Sequence, residues 1–309
     1  MPQISTVLGP VDVDRIERVM IHEHLYIDLS HPGDPDAKLT DTEAVVTDAA
    51  ALRSHGCNTV VEVTCTGMGQ NLQRLQDIAR RTGLHIVAAA GFYYERWHPR
   101  WVREASPEVI EEYLLRQLVD GVPVEGGDPP VVRPGIVAEI GTSDPISPQE
   151  EKVLRAAARA ARRAGVPLST HAHLGSNGLR QLEILLEEGV PPHRIAIGHQ
   201  DLLDDIDVHK AIASTGAYVQ YDTVGKERYQ SDDVRIRLVR EMIEAGYGDR
   251  LMLSVDISRH AYLTSRGGHG YAYLFERFLP RLRGVGLDDA AIEALVRDNP
   301  RRFLGGDEA

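Results

Sequence analysis

Several things are scarce in this chain, and each scarcity removes a class of protein. Only two cysteines occur among 309 residues, Cys57 and Cys65, and they form no CxxC pair. A disulfide framework is therefore not the organising principle, and a reducing cytoplasm is the expected compartment. No stretch approaches the roughly 18 uninterrupted apolar residues of a membrane span. The opening residues lack a basic segment followed by an apolar one, so a cleaved secretion signal is not expected. Basic runs are also missing, and the formal net charge is −12. That balance argues against nucleic acid or an anionic membrane as partner and leaves a small-molecule substrate. No linker or low-complexity stretch divides the chain, so residues 1–309 are read as a single domain.

What is present is a rhythm. Short apolar runs alternate with amphipathic stretches, as expected of repeated βα units. Strands are predicted at Val19–Leu25, Thr59–Cys65, His85–Gly91, Val131–Ile140, Val166–His171, Arg194–His199, Ala217–Asp222 and Arg250–Asp256. Helices are predicted near 41–55, 70–82, 107–120, 149–164, 177–188, 205–214, 231–246, 271–283 and 288–298. Ser147-Pro148-Gln149-Glu150 combines an N-cap, a proline at the first helical position and a reciprocal glutamate. Thr40-Asp41-Thr42-Glu43 reads as a second such box. Glycines at 56, 83, 121, 165, 189 and 246 mark helix stops. Eight strands within this length suit an α/β (β/α)8 TIM barrel, which typically takes about 250 residues plus insertions. A doubly wound open sheet is the alternative.

In such a barrel the chemistry sits at the C-terminal ends of the strands. The first strand ends in His22-Glu23-His24, where residues two apart share a face and Glu23 points away. The fifth ends at His171, the sixth at His199 and the eighth at Asp256, and Glu139 lies near the end of the apolar fourth. A buried acid in so apolar a strand is costly unless paired or metal-bound. Four imidazoles and two carboxylates converging on one mouth form a sensible shell for two divalent ions. Zinc suits this mixture, with manganese or cobalt as alternatives. Between two such ions a water is activated as hydroxide. His173 competes with His171 for the ligand role, but His171 ends the apolar run directly. His31, His55, His85, His98, His193, His209 and His260 share no pattern and are expected at the surface or behind the ligands. Trp97 and Trp101 are expected to pack the loop after the third strand.

The order of motifs resembles the phosphotriesterase-like family of the amidohydrolase superfamily over nearly the whole chain. The matching pieces are Leu8-Gly9, His22-Glu23-His24, Gly135–Gly141, Thr170-His171, Ile197-Gly198-His199, Ser254-Val255-Asp256, Asn299-Pro300 and Phe303-Leu304. The resemblance implies that His22, His24 and Asp256 hold the more buried metal and His171 and His199 the more exposed one. It also implies that Asp256 takes the proton of the bridging hydroxide. Well-known members bridge the metals with a carboxylated lysine. Glu139 stands at that position here, as in the glutamate-bridged branch of phosphotriesterase homology and phosphotriesterase-related proteins, so at most weak phosphotriesterase activity is expected.

Substrate contacts are expected from Tyr93 and Tyr94 after the third strand. Lys226 and Arg259, in the loops after the seventh and eighth, are placed to clamp an anionic group. Arg266–Tyr271 reads as a structural glycine-rich turn. The leading function is hydrolysis of a carboxylic ester or lactone, including a phosphorylated lactone. Hydrolysis of an N-acyl amide is the second reading, and a non-catalytic metal-binding barrel is the third. A homodimer is the one assembly left open.

Overall fold

A computed structural model describes residues 2–306. Eight parallel strands form its central sheet: β1 (Arg18–Glu23), β2 (Cys57–Glu62), β3 (His85–Ala90), β4 (Ile136–Thr142), β5 (Leu168–Ala172), β6 (Ile195–Ile197), β7 (Tyr218–Tyr221) and β8 (Leu251–Leu253). They run side by side in chain order from β1 to β8. Helices α1 (Thr42–Ala50), α2 (Leu72–Thr82), α3 (Pro107–Val119), α4 (Pro148–Ala164), α5 (Gly178–Glu187), α6 (Ile206–Ser214) and α7 (Asp232–Glu244) fill the connections around the outside. The expected (β/α)8 barrel is the observed architecture.

Two apolar layers hold it together. The interior is packed by Val19, Ile21, Val61, Val87, Ala138 and Met252, among others, while a larger cluster fills the space between strands and helices. The end at the N-termini of the strands is plugged by Ile4, Val13, Phe303 and Leu304, with the Phe303 ring edge-on to Tyr218. Asn299 anchors this plug, because its side-chain amide donates to the carbonyls of Gly248 and Leu251 at 2.8 and 2.7 Å. No helix among the described residues is long and apolar enough to cross a membrane.

The local start signals behave as their chemistry requires, with one correction. Ser147 and Glu150 form the full reciprocal box at the head of α4. At α1 the cap is Asp41, not Thr40, accepting from the Ala44 amide at 3.1 Å. The fourth strand also differs from expectation. Val131–Val132 pairs antiparallel with Val122–Pro123 outside the barrel. Pro134, which has no amide hydrogen to give a ladder, separates that hairpin from β4. His209 is another correction: it is fully buried against the barrel's outer wall, 2.7 Å from the Tyr221 hydroxyl. Burial pushes its imidazole down to about 4.

Strands β1 and β8 share no ladder. Across the seam the His22 amide donates to the Ser254 hydroxyl at 3.2 Å, and one side chain makes four more hydrogen bonds. Glu23, fully buried, accepts from the Ser254 hydroxyl (2.7 Å) and from the amides of Val255, Asp256 and Ile257 (2.9, 3.2 and 2.9 Å).

Candidate metal centre

Strict alternation along a strand cannot aim all six acids and imidazoles at one point, and the backbone departs from it where they sit. The register of β1 against β2 slips by one residue between Met20 and Glu23. A similar slip occurs in β4 between Val137 and Ile140. Within it Glu139 takes φ 56°. Ala138 packs the barrel interior, and the left-handed turn lets its neighbour face the same centre. His199 and Asp256 also take left-handed backbones, φ 57° and 52°. Such conformations are uncommon for residues bearing a Cβ and collect at functional sites. Gly198, just before His199, is required by space: a Cβ there would lie 2.1 Å from the Thr170 carbonyl oxygen.

These turns bring the six residues together. His22, His24 and Asp256 offer donor atoms within 4.8 Å of one another, and so do Glu139, His171 and His199. Glu139 stands between the groups. One of its oxygens lies 3.4 Å from His22 Nε2; the other lies 3.4 Å from His171 Nδ1 and 4.0 Å from His24 Nε2. His24 Nε2 is 3.3 Å from Asp256 Oδ1. Both His22 ring nitrogens and one Glu139 oxygen are buried without a hydrogen-bond partner. Orphaned polar atoms of this kind are costly unless another ligand takes them. A donor set of imidazole nitrogen and carboxylate oxygen fits divalent zinc, manganese or cobalt.

The electrostatics of the cluster are strongly perturbed. Burial alone would raise Glu139, but His22 and His171 hold it down at about 2. Burial likewise opposes ionisation of Asp256, yet Lys226 and His24 hold it well below the usual carboxylate range. Burial drives His171 down to about 4, with the neighbouring His199 adding to the shift. His199 goes the other way: burial opposes its charge, but Asp222 lifts it to about 10.

Asp222 was not singled out from sequence. It accepts at 2.7 Å from His199 Nδ1 and lies 3.2 Å from His22 Nδ1, while the His199 amide also points at it. It thereby fixes the His199 ring with Nε2 toward the centre and lies beside, without a hydrogen bond to, that of His22; buried carboxylates orient metal-binding imidazoles in this way. Thr64 orients His24, 2.8 Å from its Nδ1, and donates its own hydroxyl hydrogen bond to Glu62. The available signal for Asp222 was an acid ending the seventh apolar run, as Asp256 ends the eighth.

A cavity of about 200 Å³ opens above the cluster. Tyr93, Lys226 and Arg259 line it, together with His173. Tyr94 does not line it, but its ring lies parallel to that of His171. The Tyr93 hydroxyl is 3.4 Å from His171 Nε2. Burial, then Glu139, raises its phenol well above the ordinary range, so it stays protonated. Lys226 is buried, ion-paired with Asp256, and carries its charge 5.1 Å from the Tyr262 ring centroid. Arg259 already has an acid: it grips Asp34 through both terminal nitrogens, at 3.0 and 2.6 Å.

The loop that carries Lys226 is fastened from below. Arg235, fully buried, donates to Asp201 (2.6 Å), Asp232 (3.0 Å) and the Thr223 hydroxyl (2.9 Å), and also to the Gln230 carbonyl. Asp232 in turn accepts from the Gly225 amide and the Tyr273 hydroxyl.

Comparison with known proteins gives a consistent picture. The model of the phosphotriesterase family matches residues 2–304. The phosphotriesterase homology protein of Escherichia coli K12 is 37% identical over 92% of this chain and 97% of its own. A crystal structure of that protein with phosphate in its active site superposes with a TM-score of 0.89, covering 94% of this chain and 99% of that one. The N-acetyltaurine hydrolase of Danio rerio is 30% identical over 98% of this chain and 97% of its own. A lactonase from Listeria monocytogenes is 26% identical with a TM-score of 0.90, covering 98% of each chain.

Proposed function

From the premise that the chain belongs to the phosphotriesterase family, we propose that it is a binuclear metal-dependent hydrolase cleaving the acyl bond of a small anionic substrate. The observation that carries this reading is the meeting of two donor triads at Glu139, beneath a cavity lined by Lys226. His22, His24 and Asp256 would hold one ion, His171 and His199 the other, with Glu139 between them. Two dications there, zinc by preference, would supply the Lewis acidity that lowers the pKa of water and polarises a carbonyl.

The chain's own groups supply the rest. Lys226 binds the anionic end of the substrate. Its ion pair with Asp256 couples that binding to proton transfer: as the ammonium turns toward the substrate, Asp256 loses the cation at its Oδ2 and gains proton affinity. Asp256 is then the acceptor for the proton of the attacking water and the donor to the leaving group. Tyr93 donates a hydrogen bond toward the substrate oxygen, while Asp222 and Thr64 keep the imidazoles in one orientation. Arg259, its charge paired with Asp34, steadies the cavity mouth.

An ester or lactone is one acyl class, supported by the likeness to the Listeria lactonase. An N-acyl amide is the other, supported by the likeness to the zebrafish hydrolase. Both reactions pass through a tetrahedral oxyanion that the same site serves. The test is a screen of metal-replete protein against lactones, phosphorylated lactones, esters, N-acyl amino acids and N-acyl amino sulfonates. Cleavage of one acyl class, lost on chelation and restored by zinc, is expected. Turnover that survives complete metal removal, or is confined to phosphotriesters, overturns the reading.

A further inference from the structure

Among the described residues, five other than glycine have left-handed backbones. Three are Glu139, His199 and Asp256, and the other two are Leu174 and Asn177 in one turn after β5. Leu174 adopts φ 50°, ψ 33°. A branched apolar side chain gains nothing locally from this conformation, which crowds its Cβ against the backbone. Packing does not compensate, because the side chain is 51% exposed.

The turn is nevertheless held firmly. Ser176 folds back onto the His173 carbonyl through its amide and its hydroxyl. Gly175 lies so close to the turn after β6 that a Cβ would meet the His199 carbonyl oxygen at 2.9 Å. The Asn177 amide ties the far side to Asp144 at 3.1 Å. What this strained turn presents is a leucine lining the cavity above the acids and imidazoles. Tyr229, 44% exposed, lines the same cavity from the loop that carries Lys226, and Ile27, Leu29 and Met68 add further apolar surface.

We propose that Leu174 is a specificity-determining residue, held by its backbone so that it grips a hydrocarbon segment of the substrate. The preferred substrate then has two ends: an anionic group for Lys226 and an apolar segment longer than acetyl for Leu174. This rests on reading the site as an acyl hydrolase.

The experiment compares N-acetyl, N-butanoyl and N-hexanoyl amino acids and amino sulfonates, with the matching esters and lactones, on wild type, Leu174→Gly and Leu174→Ala. Each buried methylene is worth about fourfold in affinity. The hexanoyl-to-acetyl ratio of kcat/KM should exceed one in the wild type and fall about tenfold in both variants. Glycine accepts a left-handed backbone freely and alanine does not, so the glycine variant should also melt above the alanine variant. An unchanged ratio, or an alanine variant as stable as the glycine one, overturns the proposal. Failure of the acyl-hydrolase reading shows separately, as no turnover of any acyl compound by wild type. Binding then decides: calorimetry should show hexanoate binding the zinc-loaded protein more tightly than acetate, an advantage lost in Leu174→Gly. A hexanoate advantage that persists there overturns the role of Leu174 in either case.

Discussion

Replacing Arg235 by methionine removes one guanidinium from a fully buried site, leaving Asp201 without its cation and Asp232 with only the more distant Arg281, at 3.8 Å. Methionine fills much of the same volume, so the loss is electrostatic and hydrogen-bonding rather than a cavity. Breaking a buried pair by deleting one partner costs about 3–5 kcal/mol. For a chain of this size that lowers the melting temperature by roughly 6–10 °C. The exposed Arg237, which pairs with Asp204 and Glu241, is the contrast: Arg237→Met should cost less than about 1 kcal/mol.

The pH dependence gives a second handle on the same change. Burial already holds Asp201 above the ordinary carboxylate range while Arg235 is present. Without Arg235 the Asp201 carboxyl is raised further in the folded state, so the folded form binds more protons than the unfolded form. Stability then falls as pH rises. The deficit of Arg235→Met against wild type should therefore be larger at pH 8 than at pH 5. Thermal melts by circular dichroism at both pH values, on protein of matched metal content, read it directly. A deficit under about 1 kcal/mol, or one that grows on acidification, would refute the argument that this network bears buried charge.

Three further outcomes follow from the metal centre. His199 is lifted to about 10 by Asp222 against the effect of burial, and only a neutral imidazole binds metal; zinc binding near pH 7 should therefore release about one proton from it, with affinity rising toward alkaline pH. Asp222→Asn should cut that release by more than half, measured calorimetrically in buffers of different ionisation enthalpy, and an unchanged count would discard the pairing. On the proposed two-ion reading, Glu139→Gln should lose at least one of two ions by elemental analysis, while zinc reconstitution of wild type should proceed at a rate independent of bicarbonate, since the carboxylate proposed to bridge is already on the chain; two retained ions would overturn that role for Glu139. Lys226→Met should raise KM for an anionic substrate about tenfold more than for a neutral analogue, the worth of a charge-assisted contact, and equal shifts would assign it to the scaffold.

Much of this was legible beforehand, because periodicity reports the barrel and the strand ends report the six acids and imidazoles. What could not be read is instructive in its causes. Alternation alone would turn Glu139 away from the face that Ala138 packs, and the left-handed backbone that re-aims it is invisible in the letters VAEIG. The fourth strand was placed too early because the apolar pair at Val131 and Val132 scores as strand wherever it pairs. Loop position predicts that Lys226 and Arg259 clamp an anionic substrate group, and it does not foretell the acids that hold them. Their carboxylate partners lie 30 and 225 residues away, Asp256 and Asp34, and distant pairing leaves no local trace. Asp222 was open to inference, but an acid at a strand end reads equally well as the first residue of a loop.

The seam between the first and last strands carries one more implication. Its two sides meet through Glu23 and residues more than 230 positions on, and the triad of His22, His24 and Asp256 straddles the same gap. A cation seated there would rivet the two ends of the sheet, closing a loop most of the chain long. Occupancy and barrel integrity would then rise and fall together: stripping the ion should quicken deuterium uptake first at the amides of Val255, Asp256 and Ile257, before the opposite wall of the barrel loosens.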